Sequence, residues 1–509
     1  MPPLAANVPY LTYTVNMEFL EETVDPLDLS AVQLARRMRT GRLDPVAHTE
    51  RVLERARSRG AAVGAFTHIA EEFSLRQAHA AAAQLKEGKG GPLTGVPFPI
   101  KDLDDVAGLP TEYGSRAMRG NIATTTGGVA QSILDAGTVT IGKTTTPEFG
   151  FVGYTEPAGL TPARTPWDLA RSAGGSSGGA AAAVAAGVVP IAHGNDGGGS
   201  VRIPAAHCGV LGIKPSRGLV SPGPGSSFFS DSGLATAGVL ARTARDLAAG
   251  LDIIARRRPG DWSPYPGAGD YLATLDAEFG CGPQARSRAL ALADLRVGVL
   301  TEPLNVDTEI HPACLEAVAR AAEDFRAMGA RVEQIARPFG PEAWQSFMPI
   351  WQAGAAAIPL PAECEELLTP MSRWLRARGR EASAPQLMDG LQGMYAIARR
   401  MGEAFANYDV IVSPALGTPP ADPAWVCCPD DPAEDFRRQC IVSPWTSSWN
   451  MFGPAAVAIP IHRAEVDGIE LPFGVHVGAT RFGEEQLLLS IVAALETLDP
   501  WPLIRQPRQ

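Results

Sequence analysis

Two glycine clusters carry the serines best placed to do chemistry. Gly174-Gly175-Ser176-Ser177-Gly178-Gly179 is followed by Gly197-Gly198-Gly199-Ser200, and Ser200 lies 24 positions after Ser176. Glycine lets backbone amides approach a ligand closely. Serine supplies a hydroxyl that is inert until a base activates it. Three consecutive glycines ahead of Ser200 can present successive N–H groups to a developing oxyanion. The run between the clusters, residues 180–192, is small, apolar and uncharged. A flexible Gly/Ser linker would not enclose such a run.

Ser200 lacks the Gly-x-Ser-x-Gly setting of a nucleophile elbow. His193 and His207 are close in sequence, and each reads first as a core or surface histidine. A base must then come from elsewhere, and Lys101 with Ser176 is the remaining pairing. Lys101 ends the apolar segment 93–102. Such a lysine usually snorkels to water; the functional alternative is a desolvated, neutral amine. A second motif is misleading. Gly137 to Thr144 matches Gly-x-x-x-x-Gly-Lys-Thr, the form of a phosphate-binding loop. Its interior Thr138-Val139-Thr140-Ile141 is β-branched throughout, so it reads as a strand instead.

These residues need elements to position them. Residues 1–25 read as an extended arm. Helices are expected over 29–40, after the Asp44-Pro45 cap, and over 71–87. Strands are expected over 93–102 and 138–142, with a helix over 127–137 between them. Residues 242–254 read as a helix and 265–287 as irregular. The pattern strand 295–300, helix 311–328, strand 330–335 predicts a parallel β-α-β unit. Residues 341–400 are mainly helical and could form a substrate-facing cap. Strands are expected at 409–413, 455–460 and 473–478, the last two flanking an Asp467-Gly468 turn. A closing helix is expected over 484–498. No linker separates two self-sufficient halves. One α/β unit over 1–509 is therefore expected, with N-terminal helices to residue 90 and a core over 91–260.

Composition narrows the classes. The chain has 509 residues, 45% hydrophobic and 19% charged, with a net charge of -11. That describes a globular protein with a large core and argues against nucleic acid or anionic membrane as a partner. No basic residue precedes Arg36 and no apolar run is long enough to span a bilayer, so a cytoplasmic protein is expected. The seven scattered cysteines and eight scattered histidines suggest reduced thiols and no metal site.

Taken together, these motifs resemble the amidase signature family. The matching residues are Gly95 to Asp102, Gly142-Lys143-Thr144 with Pro147-Glu148-Phe149, the Gly174 to Gly179 cluster, Gly194 to Ala205, and Gly212-Ile213-Lys214-Pro215. Weaker echoes extend to Leu471-Pro472-Phe473-Gly474-Val475. The resemblance implies the amidase-signature fold, an α/β architecture with a large central mixed sheet and helices on both faces. It implies that Ser200 forms an acyl-enzyme, and that Ser176, after a cis peptide bond, relays a proton to a neutral Lys101. The amides of Gly197, Gly198 and Gly199 would form the oxyanion hole, and Ser177, Asp196 and Arg202 would brace the loops. No cofactor is implied. Two departures stand out: Asn195, where the family often has Thr or Ser, and Gly197, where it often has Thr or Ile.

Within the family, Arg164-Thr165-Pro166-Trp167 and His193-Gly194-Asn195-Asp196 are most similar to hydrolases of nylon-type cyclic oligoamides, aryl amides and carbamates. A hydrophobic small-molecule amide or carbamate is the expected substrate, and a monomer or homodimer the expected assembly. The competing readings are a glutaminase-like subunit of a tRNA-dependent amidotransferase, a nucleotide-binding protein using 137–144, and a silent binding module.

Overall fold

The sheet is built around a hairpin. In the computed structural model, which describes residues 24–223, 228–261, 265–279 and 292–507, β10 (Ala456–Val466) and β11 (Ile469–Ala479) pair antiparallel along most of their length. Asp467 and Gly468 both take positive φ in the turn, 53° and 79°, the backbone that an Asp-Gly hairpin favours. Both strands are longer than expected from sequence, because they continue past their apolar halves into alternating, half-exposed residues beside the turn.

Outward from the hairpin, β10 pairs with β5 (Leu211–Lys214), β5 with β6 (Thr236–Ala241), and β6 with β4 (Ile191–Asp196), all antiparallel. On the other side, β11 pairs antiparallel with β9 (Val410–Pro414). β9 then pairs parallel with β7 (Arg296–Val299), and β7 parallel with β8 (Arg331–Gln334). The result is a mixed sheet of eight strands, ordered β4-β6-β5-β10-β11-β9-β7-β8. The expected β-α-β unit is present as β7, helix Pro312–Ala327 and β8.

Strand residues alternate between two covered faces. Val410 and Val412 of β9, with Val457 and Ile459 of β10, pack on helices Ala244–Ile254, Pro312–Ala327 and Glu485–Leu498. Ile411 and Ala456 face the opposite way, into a cluster with Trp445, Trp449 and Phe405. Helix Gly178–Ala185 also lies on that second side, packed beside β4, and every one of its residues is buried. A helix that is apolar all round belongs in such a core. No described helix is long and apolar enough to cross a membrane.

A smaller sheet holds β1 (Phe66–Ile69), β3 (Gly142–Thr144) and β2 (Ile100–Lys101) in that order. Here the strand expectations need correction. Pro97 and Pro99 have no N–H to give a ladder, so only Ile100 and Lys101 of residues 93–102 form a strand. Residues 138–142 approach their neighbours through a single bridge at Val139, and the ladder begins at Gly142. The N–H of Thr140 goes instead to the Gln77 side chain at 2.8 Å. Gly142-Lys143-Thr144 is thus a buried strand, and Lys143 Nζ contacts Asp102 Oδ1 at 3.3 Å and Thr111 Oγ1 at 2.9 Å. It is not a phosphate loop.

Both early helices form as expected. Ser30 and Gln33 make a capping box on Ala31–Arg39, and Asp44 caps Pro45–Arg55. The segment expected to be irregular contains helix Tyr271–Phe279. Its cap is remote: the Asp252 carboxylate accepts from the N–H groups of Tyr271 and Leu272 at 2.8 and 3.1 Å. The expected arm up to residue 23, Cys281 and residues 280–287 lie outside the described residues.

The hairpin core is tightly filled. A Cβ added at Gly478 would lie 2.1 Å from the Trp449 indole, and Trp449 is fully buried. Gly478→Ala is therefore expected to lower stability by about 1–3 kcal/mol. Chemical denaturation would show this as a lower midpoint with an unchanged slope.

Candidate active site

Lys101 is held by its backbone from two sides. It pairs with Thr144 in β3, and its N–H donates to His193 Nδ1 at 3.4 Å. His193 N–H in turn donates to Pro99 O at 3.1 Å, tying β2 to β4. His193 is thus a buried core histidine, and it is kept neutral chiefly by burial. His207, also buried, has its titration pushed down to about 4 and donates through Nδ1 to Ile203 O.

The Lys101 side chain is wholly buried. Its Nζ donates to Ser176 Oγ at 2.7 Å and to Ser177 Oγ at 2.9 Å. The peptide bond between Gly175 and Ser176 is cis. Burial pushes the Lys101 ammonium from 10.5 down to about 7, against the pull of Asp104 and Asp196. Among the described residues no carboxylate touches the amine. Ser177 therefore does more than brace a loop, because it shares the lysine with Ser176. It also donates through Oγ to Asn195 O at 3.3 Å, and its N–H reaches Ser200 O at 3.1 Å. The two serine loops are joined directly. The glycines after Ser177 are needed for close approach: a Cβ on Gly178 would lie 2.3 Å from Thr155 Oγ1, and one on Gly179 would lie 2.4 Å from Thr145 N.

Ser200 follows the end of β4 and precedes helix Arg202–Cys208. Its loop is set by a fully buried ion pair. Arg202 donates to Asp196 through Nε at 2.9 Å and Nη2 at 2.8 Å, a two-pronged contact. Burial alone would raise the Asp196 carboxyl, but Arg202 overrides it and holds it well below the usual carboxylate range. Asp196 also accepts from Gly199 N–H at 2.8 Å and Val201 N–H at 3.2 Å. This corrects the expected oxyanion hole: the Gly199 amide is committed to Asp196 and leaves Gly197 and Gly198 as the candidate donors.

Sequence reasoning missed the rest of this brace. Asn450 donates to Asp196 and accepts from Arg202 Nη2 at 2.8 Å, while Arg202 Nη1 meets His476 Nε2 at 2.8 Å. Burial and the neighbouring guanidinium keep His476 neutral, so its Nε2 accepts. One signal was legible: Asn450 is a lone amide among Trp449, Met451 and Phe452, a polar residue in an otherwise apolar stretch.

Ser176, Gly197 and Ser200 line one cavity of about 680 Å³. Its apolar wall includes Phe149, Phe229 and Trp351, with Phe229 and Trp351 ring centroids 4.6 Å apart. Trp351 comes from helix Phe347–Ala357, so part of the expected cap segment reaches the cavity; Ile358 and Leu360 follow it. Nothing in the spacing of these aromatics distinguishes a pocket wall from a core. The polar lining includes Asp104, Asp105 and Arg217.

Comparison with known proteins follows the same pattern. The family profile described as Amidase matches residues 47–488. The chain is 32% identical over 492 residues to an acylamidase of Rhodococcus erythropolis, covering 93% of this chain and 96% of the relative. It is 32% identical over 449 residues to the 6-aminohexanoate-cyclic-dimer hydrolase of Paenarthrobacter ureafaciens, covering 82% and 85%. A solved structure of 6-aminohexanoate cyclic dimer hydrolase complexed with substrate superposes with a TM-score of 0.84 at 29% identity, covering 95% of this chain and 99% of that one.

Removing one partner of a buried ion pair strands the other. Asp196→Ala leaves Arg202 buried and unpaired, and is expected to lower stability by about 3–5 kcal/mol. Denaturant unfolding of the purified variant measures it.

Proposed function

The chain belongs to the amidase signature family of C–N hydrolases, and from that premise we propose that Ser200, Ser176 and Lys101 cleave amides and carbamates of hydrophobic small molecules. The observation that carries this reading is the 2.7 Å contact from Lys101 Nζ to Ser176 Oγ, at the edge of a cavity that Ser200 also lines.

The chemistry follows from the proton inventory. A neutral Lys101 accepts the Ser176 proton as Ser176 takes the proton of Ser200. Ser200 Oγ then adds to the substrate carbonyl. The oxyanion is met by the amides of Gly197 and Gly198, dipoles already in place before the reaction. On collapse the C–N bond breaks, and the Lys101 ammonium returns its proton through Ser176 to the leaving nitrogen. The acyl group stays on Ser200. Water repeats the cycle, losing a proton to Lys101 and releasing the acid. A carbamate follows the same path and leaves an alkoxycarbonyl group on Ser200.

Apolar walls at Phe149, Phe229 and Trp351 support hydrophobic substrates. The relatives named for acyl amides and for a cyclic oligoamide support the same choice.

Two measurements test this. Anilides, urethanes and cyclic amides are expected to be turned over, with Ser200→Ala as the blank, down about 10³-fold or more. Activity retained by Ser200→Ala overturns the catalytic reading, and cleavage of primary amides alone overturns the substrate reading. Second, the reactive form of Lys101 is the neutral one. With its titration near pH 7, kcat/KM is expected to fall about tenfold per pH unit below that value and to level off above it. A profile flat from pH 5 to 8 would remove Lys101 as the base.

A further inference from the structure

Arg217 is a mostly buried guanidinium in the lining of the cavity that holds Ser200. Its Nε donates to Gly233 O at 2.7 Å, and its Nη2 to Asn450 O at 2.7 Å and Met451 O at 2.9 Å. The last two carbonyls end helix Thr446–Phe452, so part of the group acts as a helix C-cap. That role uses one edge of the fork. Among the described residues no carboxylate lies within ion-pair distance of Arg217, and Nη1 has no hydrogen-bond partner. A buried charge held only by neutral carbonyls is costly. A guanidinium with donors left over matches a carboxylate.

The proposed reaction sets a direction in the cavity. The leaving nitrogen takes its proton from Lys101 through Ser176, so it lies on the Lys101 side. The acyl chain then extends within the cavity that Gly233, Ala235 and Arg217 also line. The apolar faces of Trp351 and Phe229 border that path. On the Lys101 side the polar lining is acidic: Asp104 is held by Asn195 Nδ2 at 2.9 Å, and Asp105 accepts from Tyr113 OH at 2.8 Å. A carboxylate is repelled there and welcomed at Arg217. Arg257, at the exposed rim, lines the cavity together with Asp261, whose carboxylate is already engaged by Ser221 Oγ at 2.6 Å and Arg258 N–H at 2.7 Å.

Building on the proposed function, we infer that Arg217 forms a carboxylate subsite, and that the preferred substrates are amides whose acyl chain ends in a second, free carboxylate. Discrimination rests on Arg217 attracting the anion and on Asp104 and Asp105 rejecting the reversed orientation.

Three anilides of matched length test this. Adipic acid monoanilide carries the carboxylate, 6-methylheptanoic anilide is its neutral isostere, and 6-aminohexanoic anilide carries an ammonium. The wild-type protein is expected to favour the carboxylate over the isostere by roughly tenfold or more in kcat/KM. Arg217→Met should bring that ratio to about one, and Arg217→Lys should keep part of it. A purely capping role would lower all three substrates together and leave the ratio unchanged, which overturns the inference. So does a wild-type preference for the neutral or the ammonium anilide. Turnover of none of the three, matching the Ser200→Ala blank, would fail the hydrolase reading itself. Should Arg217→Met not fold, competition on the wild type decides: adipate is expected to inhibit hydrolysis of the neutral anilide while 1,6-hexanediol does not, and equal behaviour of the two overturns the subsite.

Discussion

The structure turns on a lysine taken out of water. Lys101 is wholly buried, has no carboxylate in contact among the described residues, and directs its amine at two serine hydroxyls. A buried ammonium is normally paired or absent. Here burial lowers its proton affinity and favours the neutral amine. Two carboxylates, Asp104 and Asp196, act on it from a distance and oppose the effect of burial. The balance leaves Lys101 close to neutrality, where it can both take and return a proton.

That balance depends on a second, differently solved burial problem. Asp196 and Arg202 are also fully enclosed, yet they form an ion pair, because each contacts the other, Asp196 also accepts from the N–H groups of Gly199 and Val201 and from Asn450 Nδ2, and Arg202 also donates to Asn450 Oδ1. The ion pair gives the Ser200 loop its shape, and the Lys101 amine, projecting from β2, holds the Ser176-Ser177 loop. The two serine loops are joined by the hydrogen bond from Ser177 N–H to Ser200 O.

Much of this was legible in the sequence, for reasons that differ by residue. Helix starts at Ser30 and Asp44 carry their caps within a few residues, so local pattern suffices. The Asp467-Gly468 turn is similar. Helix Tyr271–Phe279 was hidden because its cap, Asp252, lies on another helix. Strand β2 was overextended because the apolar run was given more weight than Pro97 and Pro99, which lack the N–H groups a ladder needs. At the site, glycine and serine spacing pointed to Ser176 and Ser200, and the resemblance supplied the role of Lys101. The fate of the Gly199 amide was not legible, since glycine runs look alike whether their N–H groups face a ligand or a buried carboxylate. Asn450 and His476 reach Arg202 from more than 240 residues away, a separation that no local pattern records.

Because the lowered proton affinity of Lys101 is a product of enclosure, its neutral form belongs to the finished fold. While the chain is open, the amine carries its ordinary proton and Ser200 is an ordinary hydroxyl. The groups that enclose the site come from β2, the two serine loops and the helices Phe347–Ala357 and Thr446–Phe452, so closure waits for the C-terminal half. A breach that admits water beside Lys101 would restore its ordinary protonation, so the charge state of one side chain reports on the closure of the whole fold.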